Sequence, residues 1–295
     1  MALSQPLVNQ LQLLKLDPTH IESLVKATIT EDLAGGVDVT SVATIPADHQ
    51  SVAEYRARKS GIVAGLHVAA ATLETQGITD YLILVNEGDH VDAGQVIIEA
   101  YGLTRALLLT ERTALNFLGR LSGIATLTHN WVSAVAGHKT EIRDTRKTTP
   151  LLREVEKFAV RAGGGVNHRM SLSDAALVKD NHIVAAGGVV AAFDAVRSAF
   201  PNISIEVEVD NLEQLVEVVD AGAHLVLLDN MTPEQCAEAV RIANGRTRLE
   251  ASGGLSIENA AAYAATGVDY LAVGALTHSA TVLDIGVDLK NRKEK

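Results

Sequence analysis

The feature that most constrains the fold of this chain is a regular alternation of strand and helix patterns from about residue 104 to residue 278. Short strand-like runs alternate with amphipathic segments, in one of which Val189, Phe193 and Val196 form a single apolar stripe. The predicted strands are residues 141–144, 176–179, 203–209, 225–228, 248–251 and 270–273. Such alternation implies a parallel sheet, either doubly wound or closed as a barrel. No G-x-G-x-x-G sequence follows the first strand of this series, which disfavours a dinucleotide-binding fold.

The first hundred residues have a different pattern, that of a small α+β unit. Asp17 and Pro18 have the form of a helix start, with Asp as the N-cap and Pro at the first helical position. Over residues 50–59 the side chains alternate with a period of two, which predicts a half-buried strand. A helix over residues 66–76 and strands over residues 81–85 and 96–101 complete the predicted unit.

The composition excludes several classes of protein. The 295 residues include 25 basic and 36 acidic side chains, and the resulting charge of −11 argues against a nucleic acid or an anionic membrane as the main partner. The single cysteine, Cys236, excludes an intramolecular disulfide framework and is expected to be a small core residue. The longest apolar stretch, residues 183–193, is shorter than the roughly 18 residues that span a bilayer, and we find no export signal. We therefore expect a cytoplasmic globular protein.

Polar residues and glycines collect where the predicted strands end. The carboxyl ends of the strands of an α/β barrel converge on one mouth, so these residues predict an active site there. Glycines let backbone N–H groups approach an anion, and the last two turns therefore predict a phosphate site. The residues concerned are 144–147, 179–182, Glu206, Glu208, Asp229, Ser252, Gly253, Gly254, Gly274 and Ala275.

Positive charge is concentrated around this mouth. Residues 138–182 contain nine basic and six acidic residues, a local charge of +3, so the rest of the chain carries −14. Arginine and lysine side chains bind carboxylates and phosphates, and we expect a ligand with several negative charges. Lys157 and Arg161, in the middle of a predicted helix, are instead expected on a solvated face. The cations near strand ends or in the glycine loop of residues 163–169 are Arg143, Arg146, Lys147, Arg169 and Lys179.

Glu208 and Asp229 lie on adjacent predicted strands and point into the same mouth. Two carboxylates there could hold Mg²⁺ together with the phosphates of a substrate, or accept hydrogen bonds from ribose hydroxyls. Alternatively, they only pair with the neighbouring cations. Glu206 shares a strand face with Glu208, and chemistry alone does not separate the two. His168 and His182 are the histidines of the mouth, and their spacing does not indicate a zinc site.

The order of these motifs resembles that of the quinolinate phosphoribosyltransferase family. The resemblance covers the whole chain, weakly over the first 100 residues and densely from Thr110 to His278. One departure is Ala251, where the family often has a second Ser. The matching segments are residues 111–116, 122–126, 144–148, 163–169, 179–182, 206–209, 228–230, 250–254 and 267–278.

The resemblance implies a fold and an activity. The expected fold is an N-terminal α/β sandwich domain, residues 1–112 with the tail 279–295, followed by a C-terminal open TIM-like α/β barrel, residues 113–278. The implied reaction transfers phosphoribosyl from phosphoribosyl pyrophosphate to quinolinate with decarboxylation. It gives nicotinate mononucleotide, pyrophosphate and CO2 in NAD biosynthesis. The implied cofactor is Mg²⁺, and a homodimer is implied in which Arg112 reaches the neighbouring subunit's site.

Roles carried over by position divide the mouth into three parts. Arg146, His168, Arg169 and Lys179 would surround the quinolinate carboxylates. Lys147, Glu208 and Asp229 would face the ribose, the pyrophosphate and Mg²⁺, with the two carboxylates as metal ligands, partly through the substrate. The expected catalytic residues are Lys147, Lys179, Glu208 and Asp229, with Lys179 and His182 as candidates to protonate the ring carbon. The expected substrate-binding residues are Arg112, Thr145, Arg146, Lys147, His168, Arg169, Lys179, Glu208, Asp229, Ser252, Gly253, Gly254, Val273, Gly274 and Ala275.

Three alternative functions fit these residues less well. A relative that uses nicotinate or another small acid is disfavoured, since Arg146, Arg169 and Lys179 together suit a dicarboxylate. A non-catalytic phosphometabolite-binding protein would be expected to lack Lys147 or the acidic pair, and all three residues are present. The turn over residues 87–95 is similar to that of a lipoyl or biotinyl carrier but lacks the target lysine, so an ordinary glycine turn is favoured.

Overall fold

The computed structural model describes residues 2–291, which form two compact units. The first unit comprises residues 2–127, 154–163 and 280–291, and the second, here called the barrel unit, comprises residues 128–153 and 164–279. The predicted boundary after residue 112 lies inside a long helix, whereas the compact units divide the chain at 127/128. No single helix in the described residues is long and apolar enough to cross a membrane, and one pair bent by 90° passes that test only jointly.

The helices and strands follow one another in a regular order. In the chain they are α1 (Gln5–Leu13), α2 (Pro18–Leu33), α3 (Val39–Thr44), β1 (Gln50–Ala57), β2 (Gly61–Ile62), α4 (Leu66–Thr75), β3 (Asp80–Ile83), β4 (His90–Val91), β5 (Val96–Leu103), α5 (Thr104–Ala134), β6 (Glu141–Arg143), α6 (Arg153–Ala162), β7 (Ala176–Val178), α7 (Asp180–Ala186), α8 (Val189–Ala199), β8 (Ile205–Val209), α9 (Leu212–Asp220), β9 (Leu225–Asp229), α10 (Pro233–Ala243), β10 (Arg248–Ser252), α11 (Ile257–Ala265), β11 (Tyr270–Ala272), α12 (Ala275–His278) and β12 (Ile285–Asn291).

The first unit is built on an antiparallel sheet in the order β12-β1-β5-β3. The predicted alternation in β1 is confirmed, because Ala53, Tyr55 and Ala57 are fully buried in the core of this unit. Strand β12 pairs with β1 from Ser51 to Ala57, so the carboxyl-terminal segment returns to the first unit as predicted. The predicted helix start is also confirmed: Asp17 caps α2 by accepting from the N–H of Thr19 at 2.9 Å, with Pro18 at the first position.

The predicted solvated face of α6 is wrong for Lys157, whose side chain is fully buried. Every residue from Val155 to Val160 is buried, so this part of the helix has no solvated side. Arg161 is partly buried and donates to the carbonyl of Leu14 at 2.8 Å. The charge pattern alone could not show this, because it does not reveal how many sides of a helix are covered by neighbouring segments.

The barrel unit is a parallel sheet of six strands in the order β6-β11-β10-β9-β8-β7. All six predicted strands are present, with bounds that differ by two residues or fewer. Since β6 and β7 are the two edge strands, the barrel is open, which confirms the predicted fold class. Helix α10 has the predicted capping box between Thr232 and Gln235, and it buries Cys236 completely.

Candidate active site

The carboxyl ends of the six parallel strands bring most of the predicted site residues to one edge of the barrel unit. In the register of the sheet, Asp229 lies opposite Ser252, and Arg143 lies opposite Ala272. Lys179 directly follows β7, and Glu208 lies near the end of β8. Arg112 belongs instead to the first unit, where it is exposed on helix α5. Its reach to a neighbouring subunit stays a prediction.

Acidic and basic side chains are in contact at this edge of the barrel unit. Lys179 donates from Nζ to Oε2 of Glu208 at 2.6 Å, and the lysine side chain is half exposed while the glutamate is almost buried. Burial raises the pKa of Asp229, and the nearby carboxylates of Glu208 and Asp210 raise it further. These oxygens therefore repel one another, and a hard divalent cation, which prefers oxygen ligands, would relieve that repulsion. The donors present fit Mg²⁺ at Glu208 and Asp229.

Two guanidinium groups, those of Arg146 and Arg169, act on each other electrostatically. Burial lowers the pKa of Arg169, and the charge of Arg146 lowers it further. Arg169 donates from one terminal nitrogen to the carbonyl of Ala175 at 3.0 Å. The Nε atoms of Arg146 and Arg169 are both buried without a hydrogen-bond partner among the described residues. Two adjacent cations with unused donors form a receptor for an anion with more than one carboxylate.

The glycine loop that carries Arg169 is held in place by Asp144, which is fully buried. One oxygen of Asp144 accepts from the backbone N–H of His168 at 2.8 Å, and the other accepts from the side chain of Asn167 at 2.6 Å. A carboxylate with both oxygens bonded to one loop restrains the loop strongly, because charge-assisted hydrogen bonds are roughly twice as strong as neutral ones. The sequence placed Asp144 at a strand end without a role.

His168 directly precedes Arg169 in the chain and is buried. Its Nδ1 accepts from the backbone N–H of Arg169 at 2.7 Å, and its Nε2 lies 2.7 Å from Oε2 of Glu206. Both ring nitrogens thus have partners within the protein, and the predicted contact of His168 with a substrate carboxylate stays a prediction. The structure distinguishes Glu206 from Glu208: Glu206 pairs with His168 and is the more deeply buried, whereas Glu208 pairs with Lys179. The sequence alone did not distinguish the two carboxylates.

One further member of this buried group, Glu250, was missed by the sequence analysis. Glu250 is fully buried on β10 and accepts from Arg143 at 2.7 Å. Burial raises the pKa of both Glu206 and Glu250 to about 7, with repulsion from Glu206 adding to the effect on Glu250. The available signal was a carboxylate between Leu249 and Ala251 in a predicted strand, two residues before Ser252.

Ligand atoms of His168, Glu206 and Glu250 lie within 4.8 Å of one another, which is close enough for three metal ligands. The imidazole bonds to Glu206, however, and Arg143 bonds to Glu250. Protein cations and donors already compensate these carboxylates, so the geometry is that of a buried ion-pair network.

The two glycine turns are shaped for close approach of the backbone. Gly253 has φ +87°, and a Cβ there would come 2.1 Å from Oδ1 of Asn230. Gly254 also has a positive φ, +63°, but its Cβ position is open. At Gly274 a Cβ would come 2.9 Å from Cδ of Lys147, so the lysine stem passes directly over this turn. At Gly253 both the positive φ and the contact with Asn230 require glycine, and backbone N–H groups at such turns bind phosphate well.

The family models of known proteins cover nearly the whole chain. The model described as "Quinolinate phosphoribosyl transferase, C-terminal domain" matches residues 124–288, and the corresponding N-terminal domain matches residues 38–122. The chain belongs to the quinolinate phosphoribosyl transferase family.

Individual family members agree with this assignment. The chain is 50% identical over 271 residues to the nicotinate-nucleotide pyrophosphorylase (carboxylating) of Mycobacterium leprae, with 90% of this chain and 95% of that protein covered. It is 40% identical to a probable enzyme of the same name from Bacillus subtilis, with 92% and 93% covered. The solved structure of nicotinate-nucleotide pyrophosphorylase from Francisella tularensis superimposes with a TM-score of 0.88 at 37% identity, covering 92% of this chain and 96% of that one. The fold and the motif order are therefore those of the family.

Proposed function

We propose that this chain transfers phosphoribosyl from phosphoribosyl pyrophosphate to quinolinate with decarboxylation, and so forms nicotinate mononucleotide, pyrophosphate and CO2. Membership of the family supports this activity. One observation in this chain supports the proposal most directly. The same edge of the barrel unit has a pair of guanidinium groups, Arg146 and Arg169, and a pair of carboxylates, Glu208 and Asp229. The first suits a small dicarboxylate, and the second suits a metal-bound pyrophosphate.

The quinolinate carboxylates would bind Arg146, Arg169 and Lys179. The charges of Arg146 and Arg169 act on each other and both have an unused donor, so a dianion bound by them would remove their mutual repulsion. Lys179 pairs with Glu208, and its side chain is half exposed, so its ammonium group adjoins the acidic pair and is accessible to an anionic substrate. It is therefore able to contact both substrates.

Lys147, Glu208 and Asp229 would face the ribose and the pyrophosphate. Bound Mg²⁺ would neutralise charge on the departing pyrophosphate. As that bond breaks, the ribose gains oxocarbenium character, and the carboxylates of Glu208 and Asp229 stabilise this positive charge where it develops. Lys147 is exposed and its stem lies against the Gly274 turn, where its ammonium group would bind anionic oxygens of the substrate. After transfer, the pyridine nitrogen is cationic. The bond to the adjacent carboxylate then breaks to release CO2, its electron pair stays on the ring carbon where the cationic nitrogen stabilises it, and that carbon takes up a proton, for which Lys179 and His182 are the candidate donors.

The phosphate of the ribose would bind the turns of residues 252–254 and 273–275. Each of these turns leads into a helix, α11 and α12 respectively.

The proposal makes three further predictions. They are a homodimer in which Arg112 reaches the neighbouring site, a requirement for Mg²⁺, and a cytoplasmic location.

The decisive experiment supplies purified protein with quinolinate, phosphoribosyl pyrophosphate and Mg²⁺. We expect equal amounts of CO2 and pyrophosphate, and we expect a chelator to abolish both, with recovery when Mg²⁺ is added back. The control replaces quinolinate by nicotinate. Turnover of nicotinate without turnover of quinolinate would assign the site to a monocarboxylate, and turnover of neither would reject the activity.

The glycine turn at residue 253 provides a separate prediction about the phosphate. Gly253→Ala places a Cβ against Asn230 and forces a positive φ on alanine, so the turn must move. We expect the KM for phosphoribosyl pyrophosphate to rise by about tenfold or more, since misplacement by 1 Å costs up to about 100-fold.

The matched control for this prediction is Gly254→Ala. The same kind of φ strain applies at Gly254, but its Cβ position is open, and we expect a smaller rise in the same KM. Steady-state kinetics with quinolinate held at saturation would measure both values. Equal effects of the two variants would show that backbone strain, and not the contact with Asn230, decides the result.

A further inference from the structure

Three charged residues form one layer inside the barrel unit, here called the buried ion layer: Arg143, Glu206 and Glu250. They come from β6, β8 and β10, which alternate in the sheet order. Alternate strands of an α/β barrel normally fill such a layer with apolar side chains. Well-packed apolar residues would stabilise the barrel at least as well as buried ions do, so stability does not account for this layer.

The buried ion layer is connected to the anion-binding rim through His168. The N–H of Arg169 donates to Nδ1 of His168 at 2.7 Å, and therefore Nδ1 carries the lone pair. The ring proton is then on Nε2, which donates to Oε2 of Glu206 at 2.7 Å. Oε1 of Glu250 is the next acceptor, at 3.6 Å, and Glu250 is itself held by Arg143.

The backbone of the loop is therefore restrained from two sides. Asp144 accepts from the N–H of His168, and His168 accepts from the N–H of Arg169, so successive N–H groups have fixed partners. The orientation of the imidazole depends on Glu206, since the Nε2–H···Oε2 bond is the shorter of its two carboxylate contacts. A displaced imidazole would shift the backbone from which the Arg169 side chain extends.

We propose that Glu206 is a positioning residue for the dicarboxylate site: its carboxylate oxygen fixes the imidazole of His168, which fixes the backbone at Arg169. Glu250, which pairs with Arg143, is the second carboxylate near this imidazole and adds to the restraint. The proposal rests on the proposed function, because it specifies how that site is held in shape. Glu206 contacts no substrate in this scheme, in contrast to Glu208 two residues later.

Two variants separate the reach of the side chain from its charge. Glu206→Asp keeps the charge but is shorter by one methylene group, so its oxygen no longer reaches Nε2. Glu206→Gln keeps the reach, and its amide oxygen still accepts from Nε2–H. We expect Glu206→Asp to raise the KM for quinolinate by about tenfold, because small displacements of a positioned group have large effects. We expect Glu206→Gln to stay within about threefold of the wild type, and both to leave the KM for phosphoribosyl pyrophosphate nearly unchanged.

The route through Arg169 is tested by a double-mutant cycle. In an Arg169→Ala background, Glu206→Asp should have no further effect on the KM for quinolinate, since the group that it positions is gone. The control for a general effect of losing a buried carboxylate is Glu156→Gln. Glu156 is fully buried and pairs with Arg120 at 2.8 Å in the first unit. We expect that variant to keep both KM values within about twofold of the wild type.

A readout independent of turnover is the tautomer of His168. In protein with ¹⁵N-labelled histidine, the signals lost in His168→Asn identify this ring, and the wild type should show an unprotonated Nδ1 and a protonated Nε2. Glu206→Asp should change that pattern, whereas Glu206→Gln should preserve it. If the wild type makes no product from quinolinate, the proposed function fails, while the tautomer still tests the positioning.

Four results would overturn the proposal. They are a wild-type His168 protonated on Nδ1, a normal KM for quinolinate in Glu206→Asp, equal rises in both KM values, and additive effects in the double-mutant cycle. A Glu206→Gln variant more impaired than Glu206→Asp would also count against it, because charge and not reach would then be decisive.

Discussion

Replacement of Arg169 by alanine is expected to raise the KM for quinolinate by about 100-fold while changing the KM for phosphoribosyl pyrophosphate by less than about threefold. A hydrogen bond to a charged group contributes roughly 1.5–3 kcal/mol, and a factor of ten corresponds to about 1.4 kcal/mol. Arg169 has an unused, buried Nε and lies against Arg146, so its removal also takes away half of a paired receptor. Steady-state kinetics with each substrate varied in turn would measure the split.

Lys179→Ala should show the same preference for quinolinate, with an additional loss of kcat. Without the ammonium group, the carboxylate of Glu208 loses its partner at 2.6 Å, and the acidic pair becomes more repulsive. Arg169→Lys keeps the positive charge but lacks the planar set of guanidinium donors, so it distinguishes the contribution of charge to quinolinate binding from that of donor geometry.

The matched control for both substitutions is Arg197→Ala. Arg197 is an exposed cation on α8 that bonds to Asp194 and to the carbonyl of Ala221. We expect its replacement to leave both KM values unchanged. Equal losses for both substrates in Arg169→Ala would contradict its assignment to the dicarboxylate.

The largest expected effect on stability comes from Gly123→Ala in helix α5. A Cβ at this position would lie 2.2 Å from the carbonyl oxygen of Thr281 and 3.0 Å from Cα of Val282. Both are backbone atoms, so the segment after residue 280 must move away from the helix. Overpacking of this kind typically costs about 1–3 kcal/mol and occasionally more, and we expect about 3 kcal/mol, or a fall in Tm of roughly 6–12 °C.

The direction of the change in Tm distinguishes close packing at Gly123 from helix propensity. In an exposed helix, replacing glycine by alanine stabilises by about 1 kcal/mol, because glycine is a poor helix former. Gly119→Ala provides a graded comparison in the same helix, since its Cβ would lie 3.1 Å from the carbonyl oxygen of Leu283. We expect a smaller fall in Tm for Gly119→Ala. An unchanged or higher Tm for Gly123→Ala would contradict the close packing of this segment on α5.

Local patterns in the sequence were sufficient for the six strands of the barrel unit and for the edge at which the candidate site lies. These strands were predictable because short strand-like runs, caps such as Thr232 and Pro233, and glycine turns act through neighbours in the chain. The position of the site followed from one rule, that the carboxyl ends of parallel strands share an edge. The concentration of positive charge in residues 138–182 was likewise readable from the sequence.

Only the tertiary structure decided which of the charged groups face a ligand and which support it. Glu206 and Glu208 are two residues apart on one strand face, yet one is bonded to His168 and the other to Lys179. Glu250 lies near the same imidazole as Glu206 and pairs with Arg143, and Lys157 is buried although a solvated face was predicted for its helix. These outcomes depend on what packs against each side chain from distant parts of the chain. Periodicity determines which face of an element a residue occupies, whereas burial and partners are set by the segments that cover that face.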